Sequence, residues 1–227
     1  MTRDRTVLSL WWEEKFDYQC NINYNIDIVM IHREWGLKMN EVGAIKDKKQ
    51  IEKVKNILRK TNLRDYLLFV MGINVGLRIS DLLKLKFRDL IDDKGNILDV
   101  IKIKEVKTGK TKTFSINKSV KRTLSEYMKE VDHWPGKFLF CSRKGENKPI
   151  SRVQAYRIIN EACRIAKIKG SIGTHTLRKT FGYWAYKQGI DITLLMRIFN
   201  HSSPAITLRY IGITQEEIND VYINLDL

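Results

Sequence analysis

Several short stretches of this chain carry side chains suited to polar chemistry. Gly76-Leu77-Arg78-Ile79-Ser80-Asp81 places an arginine directly after a strongly apolar run, with an aspartate three residues on. Lys107 lies inside Glu105-Val106-Lys107-Thr108-Gly109-Lys110, a turn-forming sequence. His175 and Arg178 stand three apart in His175-Thr176-Leu177-Arg178, one helical turn and therefore one face. His201 falls within Asn200-His201-Ser202-Ser203-Pro204, and Tyr210 follows nine residues later. Arginine forks match the oxygens of a phosphate. An imidazole moves protons near neutral pH, and a lysine can donate one to a leaving group. A phenol, with an ordinary pKa near 10, attacks once its proton is taken. Taken singly, each residue has an ordinary structural role: an H-x-x-R is commonly a surface pair, and a hairpin lysine is commonly solvated.

Other chemistries are excluded by what the motifs lack. Gly109-Lys110-Thr111 invites a phosphate-loop reading, but the position five before Gly109 is Lys104, not glycine. The chain has no G-x-G-x-x-G and no H-E-x-x-H, and no acidic cluster has metal-ligand spacing. Cys20, Cys141 and Cys163 are too few and too scattered for a disulfide framework or a zinc site, which points to a reducing cytoplasm.

The elements that must position these residues are mostly helical. Ile51, Val54, Ile57 and Leu58 fall at helical spacing, and a second helix, apolar on most faces, runs from about Leu63 to Val75 until Gly76 breaks it. A short helix with Leu82, Leu83 and Leu85 should start near Ser80 or Asp81. The period then changes: Ile97 to Ile103 alternates and is β-branched, and Lys112 to Ile116 resembles a partner strand, giving a hairpin with a basic tip. Asn117 to Val131 reads as helix, Trp134-Pro135-Gly136 as loop and Phe138-Leu139-Phe140 as a short strand. Start signals mark the last third: Ser151 with Gln154, Thr174, Asp191, Ser203 with Pro204, and Thr214 with Glu217. The final helix would carry Ile218, Val221, Tyr222 and Leu225 on one side. The fold class is α+β, mainly α, with a small antiparallel β-sheet.

Composition narrows the partner. The 227 residues are 43% hydrophobic, enough for a sizeable core, and carry 41 Lys plus Arg against 26 Asp plus Glu, a net +15. Such an excess suggests a polyanion, usually nucleic acid. Residues 1–38 hold five basic and six acidic side chains, a net −1, so the other 189 residues hold +16. The longest apolar stretch, Tyr66 to Leu77, is interrupted by Asn74 and is too short to span a bilayer. Neither a membrane segment nor a signal peptide is expected.

The ordered set Arg78, Lys107, His175 with Arg178, His201 and Tyr210 resembles the tyrosine recombinase (phage integrase) family, including Xer-type resolvases. The supporting strings are Gly76–Asp81, Val106-Lys107-Thr108-Gly109, Thr174-His175-Thr176-Leu177-Arg178-Lys179-Thr180, and His201-Ser202-Ser203 through Tyr210. The likeness covers about residues 45–215. One departure is Asn200-His201 where the family usually has Gly-His, and asparagine tolerates a positive φ better than most residues. The resemblance implies strand cleavage through a 3′-phosphotyrosine on Tyr210. It implies His175 as base, Arg78 and Arg178 as phosphate clamps, and Lys107 as acid, with Lys110 the runner-up. His201 would bond a phosphate oxygen, and Asp81 would orient arginine or histidine groups. It implies no cofactor and no metal, double-stranded DNA as partner, a homo-tetramer on synapsed sites, and room for an accessory DNA-binding protein. The alternatives are Xer-like dimer resolution and a non-catalytic DNA-binding protein of the same fold. Residues 45–227 would form the catalytic domain, with a tail helix packed on a neighbouring protomer. Residues 1–44 would be an N-terminal extension, not a full DNA-clamping domain.

Overall fold

The computed structural model describes residues 42–224. The expected N-terminal extension therefore lies almost wholly outside the described residues. Nine helices, a 3-10 turn and one hairpin follow in order among those described. α1 (Lys48–Thr61) begins where the Asp47 carboxylate accepts the Lys49 amide and buries Ile51, Val54 and Leu58. α2 (Leu63–Val75) buries nine of its thirteen residues and is the central rod, packed by α1, by α4 (Lys118–Met128) and by α6 (Thr174–Lys187). Asn74 near its end is satisfied: its amide donates to Val70 O, and its oxygen accepts from Asn117 Nδ2 at 2.7 Å. α6 approaches closely at Gly72, where a Cβ would stand 2.4 Å from Leu177 Cδ1.

α2 ends at Gly76, which takes the left-handed conformation (φ 61°) that terminates helices. The short α3 (Ile79–Leu82) then starts with Arg78 at its N-cap, earlier than Ser80 or Asp81, because Asp81 and Leu82 already donate their amides to Arg78 O. The hairpin pairs β1 (Val100–Lys104) with β2 (Thr111–Ser115) antiparallel, Ile101 opposite Phe114 and Ile103 opposite Lys112. Ile97 belongs to an isolated bridge with Ile91 and not to the strand. Phe138–Phe140 likewise forms no regular strand; Phe138 bridges Lys86 and Cys141 bridges Pro149. α4 stops at Met128, short of Val131.

α5 (Arg152–Ile165) starts at Ser151, whose hydroxyl accepts the Gln154 amide. At the start of α6 the cap is Gly173, not Thr174, and the Thr176 hydroxyl accepts the Gly173 amide. α7 (Ile192–Phe199) is capped by Asp191 and ends at Asn200 in the left-handed region, φ 57°. α8 (Pro204–Ile211) has Ser203 as N-cap with proline behind it. Tyr183, Phe199 and Ile211 form a second, smaller core under α7 and α8, and Gly182 lets Phe199 and Ile211 press on the α6 backbone.

α9 (Gln215–Asn224) opens with the reciprocal box read from the sequence: Thr214 and Glu217 each bond the other's amide. The same Glu217 carboxylate meets Lys46 at 2.7 Å, Lys187 at 3.1 Å and the Tyr183 hydroxyl at 3.2 Å. The tail's first turn is thus anchored on its own protomer. Farther out, Tyr222 and Ile223 are exposed; Leu225 and the side chains of Ile218 and Val221 lie outside the described residues. Burial would raise the Glu217 carboxyl, but its lysine partners and the Thr214 amide hold it down, at about 2. A depressed carboxylate contributes stability above its unfolded value and loses it as pH falls through the folded one. Glu217→Gln should therefore lower the melting temperature by about 2–4 °C near neutral pH, as for a ~1 kcal/mol surface network. The difference should close as pH falls from the ordinary carboxylate range towards 2, which melting curves across a pH series will read.

Candidate active site

α6 supplies two of the expected residues one turn apart, and the surrounding elements bring the rest to it. Arg178 is 3% exposed. It donates through Nη1 to Gly76 O, the carbonyl ending α2, and through Nη2 to Phe199 O, the last carbonyl of α7, at 3.0 Å. A guanidinium has five N–H groups, so three remain for other acceptors. Its charge also acts on the Tyr210 hydroxyl. The Arg178 plane also stacks over the Phe199 ring at 4.6 Å. A single side chain therefore ties the Arg78 junction to the end of α7 before His201 and sets its charge beside the tyrosine of α8.

Tyr210 is half-buried, its ring edge-on to His201 at 5.0 Å and to Phe199 at 5.4 Å between centroids. Its hydroxyl lies 3.5 Å from His175 Nδ1, a long contact at the limit of a hydrogen bond. Burial pushes the phenol above its usual value, and the Arg178 and Arg78 charges pull the other way. His175 is pushed below the usual imidazole value by partial burial and by the charges of Arg178, Lys179, Arg78 and Lys107. It is open to solvent at its outer edge yet neutral at pH 7, with a lone pair to accept a proton. His201 Nδ1 lies 3.1 Å from the Thr207 hydroxyl, and burial with the same two arginines lowers its pKa also.

Arg78 reaches the site from the turn between α2 and α3 and donates through Nη1 to Glu105 Oε1 at 2.9 Å. Burial alone would raise the Glu105 carboxyl. The Thr108 hydroxyl at 2.7 Å and the charges of Arg78, Lys112 and Arg178 outweigh it and hold the group below the usual range. Lys107 stands exposed at the hairpin turn, near enough for its charge to act on His175. Lys110 is exposed too. Asp81 is 3% exposed, and its Oδ1 accepts the Val106 amide at 2.8 Å. It holds the hairpin base beside Lys107 through that amide, in contrast to the arginine or histidine contact expected for it. Three charged neighbours escaped the sequence reading as site members: Glu105, Lys112, and Lys179, whose ammonium lies 5.3 Å from the Tyr210 ring centroid. Among the described residues no group of acidic, histidine or cysteine side chains could hold a metal, and no helix is long and apolar enough to cross a membrane.

The arrangement offers a phenol beside a neutral imidazole, within a ring of guanidinium and ammonium groups. It suits in-line attack on a phosphodiester. The model of the phage integrase family matches residues 46–217. The probable integrase/recombinase YoeC of Bacillus subtilis is 45% identical over 184 residues, 81% of this chain and 97% of that protein. The type 1 fimbriae regulatory protein FimE of Escherichia coli is 31% identical over 66% of this chain and 75% of its own. The XerA recombinase crystal structure superposes with a TM-score of 0.65 at 18% identity, over 88% of this chain and 74% of that one. A lambda integrase dimer bound to a COC′ core site gives 0.60 at 18%, over 78% and 51%. At such identities the structural likeness speaks for the fold.

Proposed function

From a chain that belongs to the phage integrase family of tyrosine recombinases, we infer a site-specific enzyme that cuts and rejoins double-stranded DNA through a 3′-phosphotyrosine link. The observation that carries this reading is the convergence of the Tyr210 hydroxyl, His175 and Arg178 on one point of the surface. Tyr210 oxygen attacks the phosphorus and its proton passes to His175. Arg78, Arg178 and His201 stabilise the charge on the nonbridging oxygens. The Thr207 hydroxyl, whose own proton goes to Ser203 O, orients the His201 ring at Nδ1 and leaves Nε2 for a phosphate oxygen. The bond to the 5′-oxygen breaks, and Lys107 supplies that oxygen's proton. The phosphotyrosine keeps the energy of the phosphodiester, so a 5′-hydroxyl of another strand can reverse the step without a nucleotide cofactor. Net charge +15 supports a DNA partner. So do related structures described as bound to DNA sites, such as XerH on its difH substrate. Integration and Xer-like resolution share this chemistry and differ in the DNA brought together, on which a homo-tetramer would assemble. On this reading residues 45–227 are the catalytic unit, acting on DNA in the cytoplasm.

The test is incubation with duplexes from the chain's own genetic neighbourhood, followed by denaturing gels. A covalent protein–DNA adduct is expected, and its absence on every duplex that binds tightly would leave a non-catalytic DNA-binding protein. Lys107→Ala should slow adduct formation by about a hundredfold, the range for losing a general acid. A 5′-bridging phosphorothiolate has a leaving group that needs no proton and should restore the rate. Rescue of Lys110→Ala instead would move the assignment to Lys110.

A further inference from the structure

Lys112 is a charged residue on a two-stranded ribbon, where a lysine would ordinarily point to water. Its neighbours Thr111 and Thr113 are exposed, whereas its own side chain is 15% exposed and turned inward. Its Nζ donates to Ile198 O at 2.8 Å. That carbonyl sits in the last turn of α7, where helix carbonyls lack intrahelical partners. The next carbonyl, Phe199 O, takes Arg178. Two cations thus cap the helix end from which the chain turns through Asn200 into His201, whose own amide bonds back to Met196 O. The Lys112 ammonium is also 3.9 Å from Glu105 Oε1, the oxygen that accepts Arg78.

We infer that Lys112 is a positioning residue of this site: its buried ammonium pins the end of α7, and with it the Asn200–His201 corner, to the Glu105–Arg78 pair. The inference rests on the recombinase reading above and adds a residue that acts through others. It closes a chain of contacts from Arg78 through Glu105 and Lys112 to the backbone beside His201. Without it, the hairpin with its Lys107 tip and the α7–α8 half with His201 and Tyr210 lose a direct tie. Among the described residues the Arg178 guanidinium bonds the Gly76 and Phe199 carbonyls, and neither bond reaches the hairpin.

The charges facing Lys112 come from every side. They are Arg178 on α6, Arg78 and Asp81 at α3, Glu105 on the hairpin, and, on the shared groove rim, Lys110 and Arg197. Burial, Arg178 and Arg78 draw its ammonium down to about 8, against the pull of Glu105 and Asp81. The tie to Glu105 should then weaken as pH rises through about 8, and cleavage with it. Stability moves the other way. Between that value and the ordinary lysine value the unfolded chain binds more protons than the folded one, so deprotonation favours the fold. Loss of activity without loss of melting temperature is the signature.

The experiment uses the full chain and the duplex on which the wild type forms its covalent adduct. Lys112→Met should slow adduct formation by about ten- to a hundredfold, as for a displaced catalytic group. Its DNA affinity should be unchanged, and it should lack the alkaline fall near 8. Lys112→Arg stays charged; it should recover much of the rate and move the fall upward. A 5′-bridging phosphorothiolate should not rescue the methionine variant; rescue would make Lys112 the acid and overturn the positioning role. Wild-type rates and an unaltered alkaline limb in the methionine variant would overturn it as well. If that variant does not fold, the arginine profile decides, and an unshifted limb there counts against the inference. A second readout needs no DNA: in histidine-labelled chain the His201 imidazole resonance should shift in the methionine variant and return in the arginine variant. An unmoved resonance would refute the coupling. Failure of the wild type to form any adduct would instead strike the recombinase reading, leaving the resonance to judge Lys112.

Discussion

Tyr210→Phe should abolish strand cleavage while leaving DNA binding and folding close to wild type. The ring makes edge contacts with Phe199 and His201 that phenylalanine reproduces. Only the hydroxyl is lost, with its long contact to His175 and its place beside the Arg178 charge. Removing one such hydrogen bond costs about 1 kcal/mol of stability. Removing a nucleophile should cost at least ten-thousandfold or so in rate. Denaturing gels, gel shifts and melting curves on the same preparation separate the three quantities. Adducts within tenfold of wild type would mean that another residue attacks the phosphorus.

Arg178→Ala should produce the next largest loss, with a different profile. This guanidinium serves the phosphate and also carries the carbonyls of Gly76 and Phe199. Cleavage should fall by about a thousandfold, the upper range for one preorganised donor group. Leaving buried carbonyls without donors should also cost about 1–3 kcal/mol each, so the variant should melt several degrees lower. Arg178→Lys separates the two effects. A lysine keeps the charge but lacks the planar fork, so it cannot satisfy both carbonyls and a phosphate together. It should melt closer to wild type yet cleave poorly, and wild-type single-turnover rates in either variant would exclude the clamp.

Much of this site is legible because its residues sit at element boundaries, and boundaries are written in short-range chemistry. Asp191, Ser203-Pro204 and Thr214 with Glu217 announce helix starts through side-chain oxygens that cap amides, and the structure places helices there. The positive φ at Asn200 also follows from residue type. What stays hidden depends on which way a side chain turns. Lys112 and Glu105 look like solvated hairpin residues, since an alternating strand reads charge as outward. Burial becomes affordable only because Ile198 O, Arg78 and the Thr108 hydroxyl wait on the inside, and those partners are distant in sequence or across the turn. Glu217 is similar: its box is local, but Lys46 and Tyr183 come from elsewhere in the chain. Gly173, with no side chain to signal a cap, gives no warning that it and not Thr174 caps α6.

The close approach at Gly182 bears on how variation in such sequences should be read. A Cβ there would stand 2.6 Å from both Ile211 Cγ2 and the Phe199 ring, and one methyl group would have to displace the helix that ends at Asn200 or the one that carries Tyr210. Overpacking of this kind costs about 1–3 kcal/mol and shifts backbone. The position should therefore tolerate almost no replacement in a mutational scan scored by cleavage, although it is buried and carries no reacting group. A scan would rank it beside Arg78 and His175. Only a second screen, scored by soluble folded protein, would separate a residue that spaces the helices from those that move the phosphate.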